Sequence, residues 1–158
     1  MRYDVGIGES AVSKNAEDTI KTYALGSCVA VIMYDRVQKV AGMVHLALPD
    51  SDLNKEKSIS SPCYFVNTGL PHLLNEMQKN GARLNRTWIK MAGGSTMMDS
   101  DNRFDIGRRN VIAIKRFLWK KGFGIIKQDT GGNISRTVTI SVDTGEIKIF
   151  NSHKVWFI

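Results

Sequence analysis

Cysteine, proline and histidine are all scarce: two, three and three among 158 residues. The two thiols, Cys28 and Cys63, form no CxxC pair. A disulfide framework and a structural zinc site both need more ligands than this, so neither is expected. Nothing in the sequence calls for a metal or an organic cofactor. No stretch reaches the roughly 18 apolar residues of a membrane span. The N-terminal residues lack the basic-then-apolar run of a secretory signal. The expectation is therefore a cytoplasmic chain without membrane insertion, in a reducing compartment where a free thiol persists. Acidic residues are also outnumbered, 15 against 22 basic, for a formal charge of +7. Most of that charge is spread singly, as on solvated surfaces. The one dense cluster is Arg108, Arg109, Lys115, Arg116, Lys120 and Lys121. Aromatic residues are only 8% of the chain, and no nucleic-acid motif accompanies the charge, so nucleic acid is not an expected partner.

What is present suits one soluble domain over residues 1–158. The chain is 42% hydrophobic and 23% charged. A chain of this length buries roughly 68–70% of its unfolded surface, enough to hold a site rigid without cross-links. Thr19–Ala24 reads as a strand. Cys28–Tyr34 and Val40–Leu48 are apolar, β-branched runs that suit strands buried on both faces. The short polar link between them predicts an antiparallel hairpin. Pro49–Pro62 is polar and reads as an exposed loop. Beyond it, Pro62 suits a helix start capped by Ser61. Val66, Leu70, Leu73, Leu74 and Met77 fall on one helical face. Pro71 should kink that helix or mark its real start. Ile106–Lys121 predicts a second amphipathic helix, stopped by Gly122. Thr87–Ala92, Gly124–Asp129, Thr137–Val142 and Glu146–Phe150 read as further strands. The class is α+β: a mainly antiparallel or mixed sheet system with two principal helices.

The hairpin brings one thiol and one imidazole together. If Asp35 lies opposite Val40, Ala30 faces His45 and Cys28 faces Ala47. Cys28 and His45 then share a sheet face as diagonal neighbours, roughly 7–8 Å apart at the backbone. A register shifted by one residue would place them on opposite faces. A histidine within reach draws the proton from a thiol and makes it a nucleophile. Leu25-Gly-Ser27 precedes the cysteine, and Gly26 permits a tight turn there. Backbone N–H groups around Ser27 and Cys28 are candidates for an oxyanion hole. The competing reading is structural: a lone cysteine in an apolar strand is ordinarily a small buried hydrophobe, and a strand histidine a satisfied core residue. Spacing alone does not separate the two. Cys63, His72 and His153 read as structural or surface residues. Gly93-Gly94 and Gly131-Gly132 match no P-loop and read as tight turns.

At these residues the sequence resembles a known family. Thr22-Tyr-Ala-Leu-Gly-Ser-Cys-Val29 is similar to the T-x-x-L-G-S-C-V stretch of the CheD family, the chemoreceptor glutamine deamidases. Gly42-Met-Val-His45 with Leu48-Pro49 is similar to that family's G-x-x-H…L-P segment. The ordered resemblance runs on through Leu70–Met77, Ala92-Gly-Gly94, Ile106-Gly-Arg-Arg-Asn110, Asp129-Thr-Gly-Gly132 and Arg136-Thr-Val138. It implies an α/β/α layered sandwich. It also implies a catalytic centre of Cys28, His45 and Thr22, with Gly26 and Ser27 placing the oxyanion or substrate. The implied substrates are glutamines on the cytoplasmic domains of chemoreceptors. The implied partner is a CheC-type phosphatase of the chemotaxis response regulator. Three positions depart from the family's pattern: Asn67, Gly69 and Ser135 stand where aspartate, alanine and glycine are expected.

Overall fold

The two apolar runs form the centre of the molecule. In the computed structural model, which describes residues 1–96 and 105–158, they are strands β4 (Val29–Asp35) and β5 (Val40–Leu46). Every residue of both is buried. Their register is the one the hairpin argument requires, with Asp35 opposite Val40 and Ala30 opposite His45. Asp35 fixes the turn: its carboxylate accepts hydrogen bonds from the Val37, Gln38 and Arg83 amides and pairs with Arg86 at 2.9 Å.

Among the described residues, ten strands build two five-stranded mixed sheets. The remaining strands are β1 (Arg2–Val5), β2 (Ser10–Ser13), β3 (Thr19–Leu25), β6 (Thr87–Gly93), β7 (Ile125–Thr130), β8 (Arg136–Ser141), β9 (Ile147–Asn151) and β10 (Lys154–Phe157). One sheet has the order β1-β3-β8-β9-β10 and the other β2-β5-β4-β6-β7. Most pairs are antiparallel; β1 with β3 and β6 with β7 are parallel. The helices are α1 (Lys55–Ser60), α2 (Val66–Lys79) and α3 (Ile106–Lys120).

The α+β class, the mixed sheets and the two principal helices are as the sequence implies. The layer order, however, is helix, sheet, sheet. Val29, Val31, Met33, Val44 and Leu46 on one face of β4–β5 pack with Leu70, Leu73, Ile114 and Leu118, so α2 and α3 lie on the same side. Ala30, Ile32, Tyr34, Ala41 and Met43 on the other face pack with Ile20, Val138, Ile140 and Ile149 of the first sheet. Among the described residues, that first sheet has no helix layer. Its strands alternate: Val138, Ile140, Ile147 and Ile149 are buried, while Lys148 and Phe150 are exposed. Period-two alternation leaves one face to water.

Several segments differ locally from expectation. The polar stretch after Pro49 is not a plain loop, because Asp50 and Asn54 cap a 3-10 turn at Ser51–Leu53 and then α1. Pro62 begins a 3-10 turn rather than α2, and Ser61 makes no side-chain cap. α2 starts at Val66 and continues through Pro71 to Lys79. Beyond the strands read from the sequence, Lys154–Phe157 forms β10, paired with β9, and the Trp156 indole N–H donates to Asp129. Among the described residues no helix is long and apolar enough to cross a membrane.

Candidate functional site

Cys28 sits where the chain passes from one sheet to the other. Strand β3 belongs to the first sheet and β4 to the second. The crossing begins with a register shift between Thr22 and Leu25 against β8. Ala24 takes a left-handed φ of 50° there. The irregularity reverses the facing: Ile20 and Thr22 point inward, and so does Leu25. Gly26-Ser27 then carries the chain across to Cys28, which is partly buried against the intersheet core.

The crossing turn is held through three consecutive carbonyls. Gly26 accepts from the Ser95 amide at 2.8 Å, and Cys28 accepts from the Gly94 amide at 2.9 Å. Ser27 accepts from Asn110 Nδ2 at 3.0 Å. Gly93, at φ 115°, permits this approach: a Cβ there would stand 2.4 Å from the Cys28 carbonyl oxygen. Only glycine takes that conformation without strain. The two Gly-Gly pairs are turns bonded to each other, with the Gly131 amide donating to Gly93 at 3.0 Å. Arg136 braces them, donating to Ser95 Oγ at 2.8 Å and Gly131 O at 3.0 Å and pairing with Asp129 at 3.1 Å.

His45 faces the intersheet space from β5 and is 3% exposed. Its Nδ1 lies 2.7 Å from Thr22 Oγ1, and the same hydroxyl lies 2.7 Å from the Val5 carbonyl oxygen. A hydroxyl has one proton, and a carbonyl only accepts. Thr22 therefore donates to Val5 and accepts from Nδ1–H of His45. This fixes the tautomer and leaves the lone pair on Nε2. Nε2 is buried and makes no hydrogen bond among the described residues. Burial holds the His45 pKa down, from 6.5 to about 4, against a smaller upward pull from the Val5 carbonyl and Glu9. Burial also raises the Cys28 pKa. At neutral pH the resting pair is a thiol and a neutral imidazole.

The other candidates are elsewhere. Cys63 is buried in the helix-side core, on the face of the second sheet opposite His45. His72 is half-buried on α2, and His153 is exposed in the β9–β10 turn.

Comparison with known proteins gives the family. A family model described as CheD chemotactic sensory transduction matches residues 47–151. A probable chemoreceptor glutamine deamidase CheD of Syntrophotalea carbinolica is 49% identical over 147 residues, which is 92% of this chain and 91% of that one. The chain belongs to the CheD family. The chemoreceptor glutamine deamidase CheD of Thermotoga maritima is 42% identical over 149 residues, 94% of this chain and 91% of that one. A probable CheD of Thermococcus kodakarensis is 38% identical over 151 residues, 94% and 92% of the two chains. Among solved structures, a Neisseria meningitidis protein is similar at a TM-score of 0.44 and 11% identity, over 78% of this chain. The present chain spans about half (52%) of that protein's length.

Contacts and backbone angles in the structure account for the three departures from the family's pattern. Gly69 leaves room for β5: a Cβ there would stand 2.6 Å from Leu46 Cδ2. Asn67 ties α2 to the preceding turn, accepting from the Ser51 amide at 2.9 Å and donating to the Ser51 hydroxyl at 2.9 Å. Ser135 needs no glycine, since its φ is not positive. Sequence reasoning passed over Asn110 as a site residue, because its two carbonyl partners are 83 and 63 residues away.

Proposed function

We propose that this CheD chain converts glutamine side chains of chemoreceptor cytoplasmic domains to glutamate with Cys28 as nucleophile, His45 as base and Thr22 as the residue that orients His45. The chain is a chemoreceptor glutamine deamidase, a hydrolase acting in chemotaxis. The observation that carries the residue roles is the Val5–Thr22–His45 relay, which directs an unshared lone pair to Nε2 on the Cys28 face of the sheet.

The reaction follows from the resting charges. Nε2 takes the Cys28 proton as Sγ attacks the carboxamide carbon. Because both groups rest neutral, proton transfer and attack belong to one step. The pinned Gly26 and Ser27 carbonyls fix the peptide planes that carry the Ser27 and Cys28 N–H groups, the donors assigned to the developing oxyanion. Imidazolium then protonates the departing ammonia. His45 deprotonates a water, which hydrolyses the thioester, releases glutamate and restores the thiol. No cofactor takes part. Such a chain works in the cytoplasm, where receptor signalling helices and reduced thiols are both found.

Incubation with a chemoreceptor cytoplasmic fragment should release ammonia, and Cys28→Ala should release none. Ammonia release at the wild-type rate from Cys28→Ala would refute the nucleophile assignment.

A second role, binding a CheC-type phosphatase, is favoured by the outer face of α3. That helix carries Arg108, Arg109, Lys115, Arg116 and Lys120 with no acidic residue, and its Trp119 is 82% exposed. An acidic protein surface complements it. Trp119→Ser should weaken capture of such a phosphatase and leave deamidation unchanged. Undiminished capture would exclude this face.

A further inference from the structure

One buried polar side chain joins the two halves of the site. Asn110 lies in the second turn of α3 and is fully buried. Its Nδ2 donates to the Ser27 carbonyl at 3.0 Å and to the Ala47 carbonyl at 3.0 Å. Ser27 precedes Cys28, and Ala47 follows His45 by two residues. The strand pairing of β4 with β5 ends at Val29 and Leu46. Asn110 therefore takes over where the ladder stops, and it ties together the two chain ends that carry the thiol and the imidazole. Its Oδ1 is buried without a partner among the described residues. That fixes the amide orientation, since a flipped amide would set Oδ1 against two carbonyl oxygens.

The placement of α3 makes the bridge rigid. Gly107 packs so closely that a Cβ there would stand 2.4 Å from the Ser95 carbonyl oxygen. Ser95 in turn donates its amide to Gly26. The helix, the Gly93-Gly94 turn and the cysteine turn form one packed unit.

We propose that Asn110 is a positioning residue for the deamidation reaction: its amide holds the Cys28 turn against the His45 strand and sets the distance over which the proton passes. This rests on Cys28 and His45 being the reacting pair. A bridge of this kind acts on geometry, and misplacement of a reacting group by about 1 Å costs on the order of 100-fold in rate.

The test uses Asn110→Asp and Asn110→Leu, which keep the side-chain volume and remove both donors. Two readouts are taken on the full chain. The first is kcat and KM for deamidation of a receptor fragment. The second is the iodoacetamide alkylation rate of each cysteine, read by peptide mass. Cys63, buried in the helix-side core, reports the integrity of the fold. The expected result is a fall in kcat on the order of 100-fold with KM within about twofold. Cys28 alkylation should rise as its turn loosens, and Cys63 should stay protected. A kcat within about twofold of wild type in either folded variant overturns the assignment. So does matched exposure of both cysteines in both variants, which would make Asn110 a residue of the fold alone. Cys28→Ala, run in parallel, separates the two claims: full activity there refutes the catalytic pair, whereas an inactive Cys28→Ala beside fully active Asn110 variants refutes only the bridge.

Discussion

Lowering the pH should destabilise this protein through His45 in particular. The imidazole is 3% exposed, and burial holds its pKa down from 6.5 to about 4. In the unfolded chain His45 takes up a proton below about pH 6.5; in the folded chain it does so only below about pH 4. Between those values the unfolded state binds more protons, so stability falls as pH falls. The contribution is fully present above about pH 6.5 and lost by about pH 4. At roughly 1.4 kcal/mol per pH unit, the whole gap corresponds to about 3.5 kcal/mol. Between pH 7.5 and 4.5 the loss is about 2.5 kcal/mol. Carboxylates titrate over part of the same range, so the quantity to measure is a difference. Urea unfolding of wild type and His45→Gln at both pH values provides it. The wild type should lose about 2.5 kcal/mol more than the variant. Equal losses would refute the claim that His45 is held neutral by burial.

Other consequences follow from the same contacts. The acid limb of kcat/KM should lie near pH 4 rather than near 6.5, because the base stays neutral until then. Thr22→Val should lower kcat by about 10–100-fold, the scale seen when a group that orients a metal-bound imidazole is lost. It should also cost about 1–3 kcal/mol in stability for the unmet Val5 carbonyl and Nδ1–H, read by denaturant unfolding. Asp35→Ala should destabilise by about 3–5 kcal/mol by stranding Arg86 and the Arg83 amide. A loss under about 1 kcal/mol would mean that the hairpin turn does not depend on that carboxylate. Gly42→Val should cost about 1–3 kcal/mol, since a Cβ there would stand 2.6 Å from Met77 Sδ of α2. Thermal unfolding would measure that cost.

The hairpin was legible because its information is local. Continuous apolar runs and a short polar link set β4 and β5, and the pairing of Asp35 with Val40 carries Cys28 and His45 to one face. Among the described residues the first sheet has no helix layer, in keeping with the alternation of β8 and β9, whereas the family resemblance implied an α/β/α sandwich. Long-range pairing was not legible. β1, β2 and β10 are four residues each, and β1 pairs in parallel with β3 across an intervening strand. Too few residues repeat to set a period. The meeting of Thr22 with His45 lies between two sheets, so no spacing within one strand encodes it; it came from the resemblance. Asn110 was hidden for the same reason. On a helical face it reads as one polar residue among core positions, and its role arises only when α3 docks on two distant chain ends.

The proposed nucleophile toward receptor glutamines is a single thiol, Cys28. Intact-mass and peptide-mass analysis of a chemoreceptor cytoplasmic fragment after incubation tests it most directly. The wild type should add about 1 Da at each modified glutamine, the amide-to-acid difference of this hydrolysis. Cys28→Ala should add nothing, while Cys63→Ala should match the wild type. An unchanged mass with wild-type protein and receptor, or the same gain with Cys28→Ala, would contradict it.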